Sequence, residues 1–220
     1  MKNNFRYVLF TGLFCVSLFP VLAQNSERFR TEVEKLTSND QSITKKNVIL
    51  FTGSSSIRLW TDLNSRFPEL NIVNRGFGGS QTTDLLYYFD NLILPYGPKK
   101  IFIYEGDNDI NSGKTPQQIL STTDSLVTLI RQKVSKKVTI YFITPKPSIA
   151  RWSLKSTYED YIEKLHSWAR TNPHVKVIDV WHPMLDEKGV VLQDVFVEDR
   201  LHMNKKGYDI WAKTIAPYLN

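Results

Sequence analysis

Five short apolar runs, each followed by turn residues and then by a helical pattern, constrain this chain more than any other feature. They are Val48-Ile49-Leu50-Phe51, Ile72-Val73, Ile101-Phe102-Ile103-Tyr104, and residues 138–143 and 175–180. Runs of this length without polar alternation suit strands covered on both faces, the situation of a parallel sheet.

The segments between them carry helical periodicity. Leu85, Phe89, Leu92 and Ile93 share one face, and Pro95 stops that helix. Thr115-Pro116-Gln117-Gln118 is a capping box with proline at the first helical position. It opens a helix in which Ile119, Leu126, Val127, Ile130 and Val134 recur. Tyr158, Tyr161, Ile162, Leu165 and Trp168 mark the next, and a last one starts near Asn204 and buries Tyr208, Trp211, Ile215 and Leu219. Five strands with intervening helices predict an α/β fold, a three-layer α/β/α sandwich with right-handed crossovers. Binding sites of such sheets lie at the carboxyl ends of the strands.

The N-terminus reads differently. Lys2 and Arg6 precede an apolar run over residues 8–22, and Val21-Leu22-Ala23 offers small residues for cleavage. This is the anatomy of a signal peptide over residues 1–23, cleaved near Ala23, and it predicts an exported protein, periplasmic or secreted. A retained membrane anchor is the competing reading, but the run is shorter than the ~20 residues that span a bilayer. After cleavage no stable membrane insertion is expected. Cys15, the only cysteine, lies inside the run, so the mature chain would hold no disulfide or thiolate metal site. Residues 24–46 are polar with Phe29, Val33 and Leu36 on one helical face, which predicts an N-terminal helical segment packed on a domain spanning 47–220.

The formal charge is +6, and the basic residues are scattered, with lysine doublets in turn-like places at Lys45-Lys46, Lys99-Lys100, Lys136-Lys137 and Lys205-Lys206. Dispersed in this way they read as solvated surface, not as a nucleic-acid stripe, and no nucleic-acid partner is expected.

Polar residues collect just after the strands. Gly53-Ser54-Ser55-Ser56 follows the first, residues 74–80 with Gly76, Gly78 and Gly79 follow the second, and Glu105-Gly106-Asp107-Asn108-Asp109 follows the third. Asp199-Arg200-Leu201-His202 precedes the final helix. A hydroxyl, glycine-borne amides, a carboxamide and an acid–histidine pair are the parts of an acyl-transfer site. A serine hydroxyl becomes nucleophilic when a histidine takes its proton and a carboxylate fixes the ring tautomer. Asp199 and His202, three residues apart, can do this for Ser55, whose own N–H at a helix start would face the developing oxyanion.

These four segments resemble the four sequence blocks of the SGNH (GDSL-like) hydrolases. Gly53-Ser54-Ser55 stands for the G-D-S block, Gly79 for the second-block glycine, Gly106-Asp107-Asn108-Asp109 for G-x-N-D, and Asp199 to His202 for D-x-x-H. The resemblance covers residues 47–219 and implies a flavodoxin-like sandwich with strand order 2-1-3-4-5 and no cofactor or metal. It implies catalytic Ser55, Asp199 and His202, and an oxyanion hole of Ser55, Gly79 and Asn108. Ser54 departs from the pattern, because an aspartate usually stands there; the support of the loop is what this puts in question.

Each block has a plainer reading. A serine triplet is an ordinary turn or helix cap, and the glycines are a tight turn whose spacing matches neither G-x-G-x-x-G nor a Walker motif. Asp107-Asn108-Asp109 is turn-rich, and it lacks the spacing of a calcium loop. Asp179-Val180-Trp181-His182 is a second D-x-x-H, placed where a packed strand exit is expected. The absence of G-x-S-x-G around Ser55 argues against an α/β-hydrolase elbow. Taken together the blocks predict a serine esterase acting on small-molecule or glycan esters, with short-chain and chiefly acetyl groups on carbohydrates as the expected substrates. The competing functions are a lysophospholipase or thioesterase of the same family, and a catalytically silent glycan-binding module. Lys146, Arg151 and Trp152, after the fourth strand, are candidate substrate-binding residues; Trp60 and Tyr87 are further aromatic candidates for sugar stacking, with Trp60 read as core.

Overall fold

The computed structural model describes residues 25–219. The expected signal peptide lies outside the described residues, and among these no helix is long and apolar enough to cross a membrane. The five runs form strands β1 (Ile49–Gly53), β2 (Ile72–Gly76), β3 (Lys100–Tyr104), β4 (Thr139–Ile143) and β5 (Val175–Ile178). All pair in parallel, in the order β2-β1-β3-β4-β5. The sheet matches the expected topology.

Nine helices are described: α1 (Arg30–Thr37), α2 (Ser55–Arg58), α3 (Leu63–Arg66), α4 (Thr82–Tyr87), α5 (Phe89–Leu92), α6 (Asp107–Asn111), α7 (Pro116–Lys133), α8 (Lys155–Arg170) and α9 (Lys205–Ile215). The period-2 alternation of strand side chains divides the core into two layers. Leu50, Ile101, Ile103, Ile140 and Phe142 join residues of α1, α4, α5, α7 and α8 on one face. Phe51, Phe102, Tyr104 and Tyr141 join Ile57, Leu63, Trp211 and Ile215 on the other. Both faces are therefore covered, and each fully buried Leu, Ile or Phe contributes roughly 1.5–3 kcal/mol.

Local signals acted as their chemistry requires. The Thr115 hydroxyl accepts the Gln118 N–H while the Gln118 side chain accepts the Thr115 N–H, closing the capping box of α7. Asn204 caps α9 by accepting from Lys206 and Gly207 N–H. One expectation needs correction. The helix stopped by Pro95 is two short helices, α4 and α5, and Pro95 lies in a 3-10 turn, Leu94–Tyr96, after them. The Tyr88 N–H already satisfies the end of α4 on Asp84, so the periodicity of the apolar face outlasts the continuity of the helix.

Strand order reverses between β1 and β3: β1 leads to β2 on one side, and β3 then pairs on the other. The carboxyl ends of β1 and β3, Gly53 and Tyr104, face each other there. Gly53 has φ +116°, and a Cβ on it would lie 2.1 Å from the Tyr104 carbonyl oxygen. Only glycine lets the chain turn out of the sheet this close to its neighbour. Ser54 N–H then donates to Tyr104 O at 3.0 Å, which fixes where α2 begins.

Candidate active site

Ser55 is the first residue of α2, so its N–H has no acceptor one turn back and points out of the helix start. Its Oγ lies 3.0 Å from His202 Nε2. His202 Nδ1 lies 2.6 Å from Asp199 Oδ2. The other carboxylate oxygen, Oδ1, accepts the backbone N–H of Leu201 and of His202, both at 2.8 Å. This turn places Arg200 at φ +57°. Burial would raise the Asp199 pKa, but the hydrogen bonds from the His202 side chain and from the two backbone amides hold it down at about 2. Asp199 thus remains a carboxylate that fixes the ring with Nδ1 protonated and Nε2 free to accept from Ser55. The loop is held by its neighbours: Val197 N–H donates to His202 O, and Asn204 Nδ2 donates to Asp194 O and Phe196 O.

Gly79 stands across the cavity. Gly78 O accepts the Ser80 N–H at 2.6 Å, and a trans peptide then directs the Gly79 N–H the opposite way. A Cβ on Gly79 would meet nothing nearer than Asn108 Nδ2, at 3.9 Å. Its cost would be to fill the space between these donors, not to strain the backbone. Asn108 Nδ2 donates to Ser54 Oγ at 2.7 Å and to Ser80 O at 2.8 Å. The hydroxyl at the departing position 54 is therefore the acceptor that braces Asn108, which answers how the loop is supported without an aspartate.

Behind Asn108 lies a buried carboxylate that sequence reasoning treated only as part of a turn. Asp107 accepts from Tyr104 OH (2.9 Å), Tyr158 OH (2.5 Å), Lys146 Nζ (3.3 Å) and Arg151 Nη1 (2.6 Å). Burial alone would raise its pKa; Lys146 and Arg151 outweigh it and push the value well below the usual carboxylate range. Arg151 extends the chain, because its Nη2 donates to Asn108 Oδ1 at 2.9 Å. Lys146 is 1% exposed, and burial lowers its pKa.

Ser55, Gly79, Asn108, Lys146, Arg151 and His202 line one cavity of about 200 Å3, together with Ser56, Arg58, Asp107 and Leu201. Trp152 does not line it; its ring stacks on Trp181 at 6.0 Å and carries Lys155 Nζ 5.3 Å above. Trp60 is buried against Phe51, Tyr208 and Trp211. Tyr87 is exposed and bonded to Glu27. Among the described residues no three His, Cys, Asp or Glu side chains converge as a metal site.

The Asp179–His182 pair repeats the turn, with His182 Nδ1 2.5 Å from Asp179 Oδ2 and Oδ1 accepting from Trp181 and His182 N–H. The strand exit is packed through Trp181 and Met184, whereas the His182 side chain is 72% exposed, against 27% for His202. Among the described residues no serine hydrogen-bonds to the His182 ring, whose Nδ1 is taken by Asp179.

A parallel α/β/α sandwich with a serine–histidine–carboxylate chain at its switch point is the architecture of a serine hydrolase acting on ester bonds. Residues 42–210 match the GDSL-like Lipase/Acylhydrolase family, and the chain belongs to that family. No curated protein matches it. Similar solved structures include a Streptococcus pneumonia protein provisionally described as a platelet activating factor (TM-score 0.76, 23% identity, 89% of this chain and 92% of that one). A GDSL-like lipase from Bacteroides thetaiotaomicron follows (TM-score 0.70, 18% identity, 89% and 97%). A variant of an acetyl xylan esterase from Geobacillus stearothermophilus is also similar (TM-score 0.64, 18% identity, 80% and 97%). These proteins share the fold.

Proposed function

We propose that this esterase is exported and removes short-chain acyl groups, acetyl above all, from carbohydrate esters through an acyl-enzyme on Ser55. The observation that carries the proposal is the continuous chain Ser55 Oγ–His202 Nε2–His202 Nδ1–Asp199 Oδ2, at 3.0 and 2.6 Å. His202 takes the Ser55 proton as Oγ bonds to the ester carbonyl carbon, and the carbonyl oxygen becomes an oxyanion. The Ser55 and Gly79 N–H groups receive that charge, with the Asn108 side-chain amide beside them. Collapse breaks the bond to the alkoxide, which leaves with the proton held by His202. Water then repeats the sequence and frees the acid.

The size and lining of the cavity support a short acyl group. About 200 Å3 bordered by hydroxyls, amides and cations, with Leu201 as its apolar member, suits acetyl and offers no apolar channel for a long chain. The acetyl xylan esterase among the similar folds adds to the case for a glycan carrier. The leader-like residues 1–23 support export.

Release of p-nitrophenol from acetyl and octanoyl esters tests the reading. Wild type should prefer acetyl, and Ser55→Ala should lose roughly 10⁴-fold or more in kcat with an unchanged fold. Equal rates in both proteins would remove Ser55 from the mechanism, and no activity in either would favour a silent binding module.

A further inference from the structure

Three of the four lysine doublets, separated along the chain, converge at the amino ends of the parallel strands, the face opposite the catalytic cavity; Lys205-Lys206 instead opens α9. Lys45-Lys46 precede β1, Lys99-Lys100 lead into β3, Lys136-Lys137 precede β4, and Lys176 lies in β5. β1, β3, β4 and β5 are consecutive neighbours in the sheet. With strands about 4.8 Å apart, this row of cations extends over roughly 15 Å.

Some cations on this face have structural work. Lys133 pairs with Asp90, Arg131 donates to Pro173 O, and Lys100 donates to the Tyr218 and Leu219 carbonyls. Lys45, Lys46, Lys99, Lys136, Lys137 and Lys176 are exposed and form no ion pair among the described residues. They repel one another as well: after burial, Lys99 and Lys176 are what lower the pKa of Lys100. Lys176 Nζ also stands over the Tyr141 ring, 5.8 Å from its centroid.

A cleft of about 670 Å3 opens on the same face. Lys46, Lys99 and Lys100 line it with Thr44, Asn47, Asn71 and apolar residues such as Ile49 and Leu70, and among the described residues Glu69 is its one carboxylate. We infer that the amino-terminal face of the sheet is a docking surface for an acidic polysaccharide chain. Its cations complement the carboxylates of such a chain, and its hydroxyl and amide groups suit sugar hydroxyls. A membrane fits less well, because the surface is concave and the exposed large apolar residues, Leu59, Tyr87, Val190 and Val197, lie elsewhere. A single nucleic-acid strand would need aromatic platforms, and none lines the cleft.

The probe is polygalacturonate, a chain with a carboxylate on every sugar, with dextran and single- and double-stranded DNA as comparisons. Binding to the full chain should be seen by calorimetry at about 50 mM salt and weaken at about 300 mM. The combined variant Lys46→Gln, Lys99→Gln, Lys137→Gln and Lys176→Gln should lose at least about tenfold in affinity, with p-nitrophenyl acetate turnover and Tm unchanged. A control with Lys155, Lys164, Lys188 and Lys205 changed to Gln should bind as wild type. No binding by wild type, equal binding of dextran or DNA, or an equal loss in the control would each overturn the inference. Ser55→Ala should bind the polymer normally, so the docking surface and the esterase reading fail independently.

Discussion

The Glu32 carboxylate, on the helix before the first strand, accepts the backbone N–H of Gly78 at 2.8 Å. Phe29 packs edge-on against Phe77 beside it, with ring centroids 5.2 Å apart. The turn that presents the Gly79 N–H is therefore gripped from outside by a segment lying before the family-matched residues 42–210. Glu32→Ala should lower kcat on p-nitrophenyl acetate by about 10- to 100-fold, because a displaced oxyanion donor loses strength steeply with position. Glu32→Gln keeps an acceptor oxygen and should recover most of the rate. If both variants match wild type, α1 has no part in holding the turn.

Arg151 joins Asp107 to Asn108, with one nitrogen on each. A guanidinium on Asn108 Oδ1 fixes which end of the amide faces the cavity. Arg151→Met should reduce kcat by about 10- to 100-fold with KM nearly constant, and Arg151→Lys, which lacks the fork, should recover little. A rise in KM at constant kcat would assign Arg151 to substrate binding instead.

The two Asp–His pairs offer an internal control. Asp199→Asn should cost roughly 10²–10⁴-fold in kcat, since the ring loses its fixed tautomer. Asp179→Asn, beside an exposed histidine, should leave kcat within about twofold. Loss of activity only on changing Asp179 would transfer the catalytic role to His182.

Glu105 lies beneath the same turn, where Ser80 Oγ donates to its Oε1 at 2.7 Å and Oε2 is buried without a partner. Burial, followed by the nearby Asp109 charge, raises its pKa well above the usual value. A carboxyl raised on folding stabilises fully below its unfolded value of about 4.3, and this contribution is lost as pH rises through the folded value. Glu105→Gln is neutral throughout, so its Tm relative to wild type should improve from about pH 4.5 to about pH 8. A pH-independent difference by calorimetry would show that folding does not raise the Glu105 pKa.

Much of the fold was legible because the signals were local or periodic. The apolar runs, the Thr115 box and the Asn204 cap act within a few residues, and all appear in the structure. The bonds around the site were not legible in the same way. Glu32 and Gly78 are 46 residues apart, and Arg151 and Asn108 are 43 apart. An acidic residue in a polar helix and an arginine in a loop carry no mark of such partners.

The two D-x-x-H segments show where that boundary lies. From sequence alone, each is an aspartate able to accept the N–H groups of the next turn and steady a histidine three residues on, and both fold into that arrangement. Local hydrogen bonding is satisfied equally in the two, so it cannot choose between them. The family resemblance favours Asp199–His202, and the tertiary structure gives the physical difference, bringing His202 to 3.0 Å from a serine 147 residues earlier while leaving the His182 side chain 72% exposed. Three of the lysine doublets follow the same logic: each stands just before or at the start of a strand in the sequence, and the order of the strands decided that they would share one face.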